Sequence, residues 1–130
     1  MENIRVPVSP GEVLDKITIL EIKSERISDP DKLVNVRTEL ALLQNTWVES
    51  IAEDDTIRSL HVQLKEINEA LWEIEDDIRD KERDKEFDER FIELARAVYF
   101  TNDRRSEVKK KLNLHLGSEI VEEKSYQDYT

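Results

Sequence analysis

At 130 residues the chain is long enough for one domain with a modest core, and its net charge of −11 argues against a general electrostatic hold on nucleic acid. The absence of cysteine excludes disulfides, thiolate metal sites and a cysteine nucleophile. Charged residues make up 39% of the chain, and no apolar run reaches the ~20 residues of a membrane span. The composition therefore predicts a cytoplasmic all-α protein of about four amphipathic helices, with no membrane contact and no nucleic-acid partner.

The first eight residues predict an extended arm, because their apolar side chains alternate: Ile4, Val6 and Val8. A helix then begins at Ser9-Pro10-Gly11-Glu12, which combines a capping serine, a proline in the first turn and a glutamate placed for a capping box. Its apolar stripe predicts that helix one ends near Ser28.

The second and third helices follow at two further capping sequences. Asp29-Pro30 repeats the cap-and-proline signal and starts helix two. The run Glu53-Asp54-Asp55-Thr56 supplies negative charge and capping side chains for the start of helix three. Its apolar residues hold an unbroken three-four spacing that is typical of a coiled coil: Ile57, Leu60, Leu64, Ile67, Leu71, Ile74 and Ile78.

Helix four begins at Asp88, where Phe87 and Ile92 can form a hydrophobic staple, and Gly117 can stop it. Helices three and four are therefore expected to form a long antiparallel hairpin that packs with the two shorter helices. Residues 1–117 form one helical domain in this interpretation. Residues 118–130 form a polar tail that is either docked or frayed.

The predicted helices differ in length, since helices three and four span about 45 and 40 Å but helices one and two only about 27 and 33 Å. Either the hairpin projects past the shorter pair, or a second copy of the chain covers its surplus apolar seam. The sequence favours the homodimer, and a different protein partner is also possible.

A polar layer is expected halfway along the hairpin, where Arg105 should meet Glu75 or another carboxylate. If helix one packs beside helix three, Asp15 and Lys16 can join this layer. The candidate ligand-binding residues are Asp15, Lys16, Trp72, Glu75, Arg79, Tyr99, Asn102 and Arg105. Two interpretations stay open for them, a network that sets the helix register or a pocket for a small molecule.

The sequence gives little support to a metal site, a phosphate site or a catalytic site. The carboxylates of helix three lie on a single helix, which favours a solvated face over a divalent-metal site. A di-iron bundle would need glutamates three residues before His61 and His115, where Arg58 and Leu112 stand. The basic run near Lys109 is compatible with a phosphate-binding patch, but cations are equally expected at a helix C-terminus, where they offset the helix dipole. We predict no metal site, no cofactor and no identifiable catalytic residue.

The runs Ser9 to Lys23, Leu71 to Asp76 and Tyr99 to Arg105 resemble those of a bacterial and phage family of small uncharacterised proteins, as does Glu122 to Tyr126 in the tail. The resemblance covers most of the chain. Members of that family are often encoded near glycosyltransferase or surface-polysaccharide genes, so the resemblance implies sugar-related work without supplying an activity.

Two hypotheses about function follow, and whether the chain is an enzyme stays undecided between them. The first is a non-enzymatic helical module for interaction and oligomerisation, based on the seam of helix three and the surplus hairpin length. The second is a small-ligand binding protein or enzyme that uses the polar layer, with a sugar- or nucleotide-related ligand.

Overall fold

The computed structural model describes residues 1–129 and confirms the all-α fold. Thr130, the last residue of the predicted tail, lies outside the described residues. The four helices are α1 (Pro10–Arg26), α2 (Pro30–Ser50), α3 (Asp55–Arg83) and α4 (Glu89–His115). Residues 1–8 form an exposed arm that is neither helix nor strand. Over residues 1–129, none of the helices has both the length and the hydropathy of a membrane span.

All four helices start at the capping residues that the sequence predicts. The side chains of Ser9, Asp29, Asp54 and Asp88 each accept a hydrogen bond from a backbone N–H in the first turn of their helix. Such bonds satisfy amide groups that have no partner within the helix. Helix α1 ends at Arg26, two residues before the expected Ser28.

The two hairpin helices end in the same C-terminal motif. After α4, Gly117 has φ +65° and its N–H donates to the carbonyl of Leu114, while Ser118 N–H donates to Asn113. After α3, Lys85 takes the same left-handed conformation with φ 55° and repeats both bonds. Both turns are Schellman motifs, so the stop predicted at Gly117 is confirmed, and the α3 stop uses a lysine where glycine is usual.

At the staple predicted for the start of α4, Phe87 has an aromatic partner that the sequence did not suggest. The ring of Phe87 packs edge-on against Phe91, with 5.2 Å between the ring centroids. Ile92, the predicted partner, is 55% exposed. Two aromatic rings gain from edge-to-face contact, and this favours Phe91 over the aliphatic side chain next to it.

Helix α1 is the centre of the fold, since it packs against each of the other three helices, while α3 and α4 pack against each other. The core contains the inner faces of α1 and α3 with parts of α2 and α4: Leu14, Ile17, Trp47, Ile57, Leu60, Leu64, Ile67, Val108 and Leu112. The first half of the α3 seam is therefore buried. In its second half, Leu71, Ile74 and Ile78 are only partly buried.

The tail lies back along α4 as far as residue 129. Glu122 accepts from Lys109 and Glu123 lies 4.0 Å from Lys110. Further on, Tyr129 donates a hydrogen bond to Asp103 and packs against the rings of Tyr99 and Phe100. This bond raises the pKa of the Tyr129 hydroxyl to about 12. The acidic tail thus runs antiparallel to a basic part of the helix.

Candidate functional site

The carboxylate of Asp15 on α1 lies at the junction of α1, α3 and α4. The residue is 1% exposed. Its Oδ1 accepts from Asn68 Nδ2 of α3 at 3.0 Å and from Arg105 Nε of α4 at 2.9 Å. Its Oδ2 accepts from Arg105 Nη2. The guanidinium therefore holds the carboxylate through two parallel bonds, the geometry in which an arginine pair is most specific.

Two neighbouring side chains complete the hydrogen bonding around this pair. Thr18 lies one turn after Asp15, and its hydroxyl donates to the Asp15 carbonyl at 2.8 Å while accepting from Asn68 Nδ2 at 2.9 Å. Arg105 Nη1 donates to Asn102 Oδ1 at 3.4 Å. Among residues 1–129, no buried side-chain nitrogen or oxygen lacks a hydrogen-bond partner. We call Asp15, Thr18, Asn68, Asn102 and Arg105 the polar cluster.

Lys109 links the polar cluster to the tail. Its Nζ donates to Glu12 Oε2 at 2.9 Å and to Glu122 Oε2 at 3.2 Å, and it lies 3.9 Å from Asp15 Oδ2. The lysine side chain is only 11% exposed. Burial by itself lowers the pKa of Lys109, but the three carboxylates outweigh it, and the pKa is raised. Lys109 therefore stays charged and bridges α1, α4 and the tail.

The surroundings of Arg105 also favour its charged form. The hydrogen bonds from Arg105 to Asp15 raise the pKa of the guanidinium above its ordinary value, although partial burial opposes them. The centre of the polar cluster is thus the hydrogen-bonded contact between the Arg105 guanidinium and the Asp15 carboxylate. Breaking such a pair by removing one partner leaves an uncompensated buried charge.

The start of α1 touches α4 closely beside this cluster. Gly11 N–H donates to Asn113 Oδ1 at 2.7 Å, and both residues are buried. A Cβ atom at Gly11 would lie 2.8 Å from the carbonyl oxygen of Lys109. The backbones of α1 and α4 can approach this closely only because residue 11 has no side chain.

The structure brings together three of the eight candidate residues, namely Asp15, Asn102 and Arg105. The carboxylate that meets Arg105 is Asp15 and not Glu75. The reason is that α1 lies over the hairpin at this level and presents Asp15 to Arg105, as the contact between α1 and α4 shows.

The other five candidates lie outside the polar cluster. Lys16 pairs with Glu39 of α2 at 3.8 Å. Glu75 and Arg79 form a pair one helical turn apart, 3.2 Å between their charged atoms, in which the arginine side chain is 78% exposed. Tyr99 contacts Tyr129 of the tail, and Trp72 is half-buried on α3. Exposed ion pairs of this kind contribute little to stability.

Sequence reasoning did not select Thr18, Asn68 or Lys109 as site residues. Asn68 directly follows the seam residue Ile67, and Thr18 sits three residues after Asp15 within the apolar stripe of α1. A small polar residue inside or beside an apolar helical stripe was the signal available for both. Lys109 gave no such signal, because it belongs to a basic run at the end of a helix.

His61 also connects α3 to α1, about two helical turns before Asn68 on α3. Its Nε2 lies 2.7 Å from Glu21 Oε1, and this hydrogen bond raises the pKa of His61, with burial opposing it. The nearby charges of Glu21 and Glu53 add to the rise in pKa, and that of Lys65 reduces it. The charged form of His61 is thus more stable in the folded chain than in the unfolded chain.

We expect His61 to make the free energy of unfolding depend on pH. The raised pKa makes the contribution full below the unfolded value of about 6.5 and removes it as pH rises through the higher folded value. Urea unfolding at pH values from 6 to 8.5 should show this loss in the native protein and a weaker one in His61→Gln. His115→Gln, which changes the second histidine and its contact with Asp54, is the matched control and should retain the His61 step. Equal pH dependence in the native protein and His61→Gln would contradict the assignment.

The polar cluster is fully occupied by groups of the chain itself, since both oxygens of Asp15 accept intramolecular bonds. Two surface depressions lie elsewhere, one along α3 beside His61 and Lys65 and the other between α4 and the tail at Phe100 and Tyr129. No group of three or more metal-ligating side chains occurs among residues 1–129. The arrangement is suited to joining three helices and the tail.

Comparison with known proteins gives one result. The model of a family described as of unknown function, DUF6165, matches residues 4–129. No curated protein and no solved structure gave a significant match.

Proposed function

The chain belongs to DUF6165, a family of unknown function, and we propose that it is a non-enzymatic helical interaction module that assembles as a homodimer. A cytoplasmic location is part of the proposal. The observation that carries it is the exposure of apolar side chains on the helices. Among residues 1–129, sixteen large hydrophobic side chains are exposed, eight of them on the helices, while thirteen hydrophobic residues are buried. An apolar side chain in water is ordinary when single, but a row of them on one helix face marks an association surface.

Two parts of the fold concentrate these side chains. The first is the outer end of the hairpin, where Phe87 and Ile92 are exposed and the last part of the α3 seam is half-buried. The second is α2, which exposes Val34, Leu42 and Val48. Each region can supply apolar area to a partner without any change in the core.

The polar cluster supports the same proposal. Asp15, Asn68 and Arg105 form one hydrogen-bonded unit that joins α1 to both hairpin helices. Buried polar contacts of this kind can fix the register of packed helices. A register network needs its buried polar atoms paired inside the chain, and among residues 1–129 every buried side-chain nitrogen and oxygen has a partner.

The mass of the protein in solution tests the proposal. We expect light scattering coupled to size exclusion to give twice the 15.4 kDa chain mass once the concentration exceeds the dissociation constant. A mass of one chain up to millimolar concentration, with full helicity by circular dichroism, would overturn the proposal.

A thermal-shift screen tests the alternative function, that of a ligand-binding protein or enzyme. The probes are nucleotides, nucleotide sugars and sugar phosphates, because a ligand that binds only the folded chain at a hundredfold excess over its dissociation constant adds about 2.7 kcal/mol of stability. A shift that disappears in Asn102→Ala, a residue at the edge of the polar cluster, would favour a small-molecule site and contradict a purely structural cluster.

A further inference from the structure

The last residue of the tail that the structure describes, Tyr129, is seated on the outer side of α4. Its ring centroid lies 4.8 Å from that of Phe100, with the two rings at 88°, and 5.3 Å from that of Tyr99. Its hydroxyl donates a hydrogen bond to the carboxylate of Asp103. The ring and the hydroxyl are therefore held by separate groups, a combination that tyrosine offers and phenylalanine does not.

The three side chains that receive Tyr129 all come from α4. Phe100 follows Tyr99 directly and Asp103 lies one helical turn after Tyr99, so one face of the helix presents two rings and a carboxylate. The guanidinium of Arg96, one turn before Phe100, lies 5.8 Å from the centroid of the Phe100 ring. The backbone that positions these groups is set by a helix of 27 residues and not by the tail. We call Tyr99, Phe100 and Asp103 the aromatic site.

The tail reaches the aromatic site with surplus length. It is attached first where Glu122 accepts from Lys109, and again at Tyr129, seven residues later. Lys109 and Asp103 are six residues apart on α4, a rise of about 9 Å, whereas seven extended residues cover about 23 Å. The surplus leaves a depression between α4 and the tail, and Tyr126 in this stretch is 80% exposed. Tyr129 is therefore held by its own contacts and not by a taut connection to Glu122.

The two attachments of the tail differ in their exposure to water. At the first, the side chain of Lys109 is only 11% exposed and also binds α1. At the second, Tyr129 is 46% exposed, and Tyr99 and Phe100 remain 44% and 41% exposed beneath it. Contacts that water reaches contribute little to stability, and chain ends open at the lowest free-energy cost. The end of the tail is thus a latch that can leave the aromatic site while the first attachment holds.

The charges around the aromatic site favour an acidic segment. Between residues 96 and 111, α4 carries six basic and two acidic side chains, whereas residues 118–129 of the tail carry four acidic and one basic. One acidic residue of α4, Asp103, accepts the tyrosine hydroxyl and would repel a phosphate on that oxygen. The site is therefore suited to an unmodified tyrosine that has carboxylates near it in the chain, as in the tail itself.

We infer that the aromatic site is a recognition site for a tyrosine side chain in an acidic segment of a protein partner, and that the chain's own tail occupies it as a displaceable latch. The inference names a kind of partner for an interaction module and does not depend on the homodimer. Because the tail is tethered, it competes with a partner at an effective concentration of about millimolar. A partner therefore binds only when its local concentration exceeds this value or when it contacts further surface.

The test uses a synthetic peptide of residues 122–130 as the probe and the full chain as the receptor. In Tyr129→Ala the aromatic site is vacated, and the peptide should shift the amide signals of residues 99–104 with a dissociation constant of about millimolar. The native protein should bind the same peptide at least about fivefold more weakly, because its own Tyr129 competes. Circular dichroism should give equal helicity for the two proteins, since residue 129 lies outside the four helices.

Two altered peptides and one further variant test the chemistry of the site. Tyr129→Phe in the peptide removes the hydroxyl donor and should weaken binding at least about threefold. Tyr126→Phe in the peptide is the matched control and should leave the affinity unchanged, because Tyr126 is 80% exposed in the tail. Adding Asp103→Ala to the Tyr129→Ala protein should weaken binding of the natural peptide and remove the effect of Tyr129→Phe.

Each contrary result overturns a stated part of the inference. A peptide that shifts none of the signals of residues 99–104 in Tyr129→Ala would overturn the recognition site. Equal affinities of the native protein and Tyr129→Ala would overturn the latch, and equal affinities of the natural and Tyr129→Phe peptides would overturn the role of Asp103. A monomeric mass in solution would overturn the proposed homodimer and leave this inference standing, because the peptide binds a single chain.

Discussion

Replacing Asp15 by Ala should lower the free energy of unfolding by about 3–5 kcal/mol. The substitution removes the only carboxylate within residues 1–129 that pairs with Arg105, and it takes an acceptor from Asn68, which lies buried on α3. The guanidinium would then sit partly buried without the carboxylate that binds it, and only the more distant charges of Glu12 and Glu122 would remain. Urea unfolding followed by circular dichroism measures the change, and an unaltered slope against denaturant would show that the unfolding transition is the same.

The exposed pair formed by Glu75 and Arg79 provides the control for this experiment. Both residues were sequence candidates for the same site, but the structure puts them on the solvent side of α3. Glu75→Ala should therefore change the free energy of unfolding by less than about 1 kcal/mol. Equal effects of Asp15→Ala and Glu75→Ala would mean that the polar cluster does not hold the three helices together.

A double variant measures the net contribution of the ion pair to stability, separately from the cost of leaving one of its charges unpaired. Asp15→Leu with Arg105→Leu removes both charges and fills the space with apolar groups, so it should be far less destabilising than Asp15→Ala alone. If the cluster sets the helix register, this variant should fold with less well defined packing, visible as poorer dispersion of its amide signals. A stable double variant with native dispersion would favour a cluster that is kept for binding instead.

The helix starts could be predicted from sequence because capping is local. At Ser9 and Asp54 the capping side chain accepts from the N–H of the third following residue, so a short stretch of sequence contains the whole signal. The hairpin was predictable for a similar reason, since the spacing of apolar residues in α3 identifies one continuous seam. The first half of that seam is buried and the second half is only partly buried, although both halves have the same spacing of apolar residues. The difference comes from the helices that pack over each half, and the sequence of α3 does not show where α1 lies.

The site was only partly predictable because its central contact joins residues far apart in the chain. Asp15 and Arg105 are 90 residues apart, and their meeting depends on the way α1 crosses the hairpin. The sequence predicts that Arg105 pairs with a carboxylate, but the helices contain many carboxylates and the sequence does not identify the partner. Glu75 is placed on the same hairpin as Arg105, yet it finds its partner Arg79 on its own helix. Local pairing at four-residue spacing is available to it wherever the rest of the chain lies.

Gly11→Ala should lower the free energy of unfolding by about 1–3 kcal/mol, the usual cost of inserting a methyl group into a packed contact. Helix propensity alone predicts the opposite sign, a gain of up to about 1 kcal/mol when alanine replaces glycine in a helix interior. The added Cβ would lie 2.8 Å from the Lys109 carbonyl oxygen and 2.9 Å from Asn113 Oδ1. Urea unfolding of the variant measures the balance, and a gain in stability would contradict the close approach of α1 and α4.

Combining Gly11→Ala with Asn113→Ala identifies which atom resists the methyl group. The shortened side chain removes the contact with Asn113 but leaves the Lys109 carbonyl, which belongs to the backbone of α4 and can move only with the helix. We therefore expect Gly11→Ala to remain destabilising in the Asn113→Ala background. In the Asp15→Ala background its cost should fall, because α1 is then held less tightly and can shift away from α4, and neighbouring substitutions that share one contact are not additive. Full additivity would mean that the glycine contact and the polar cluster hold α1 independently, so docking of this helix would consist of two separate attachments rather than one.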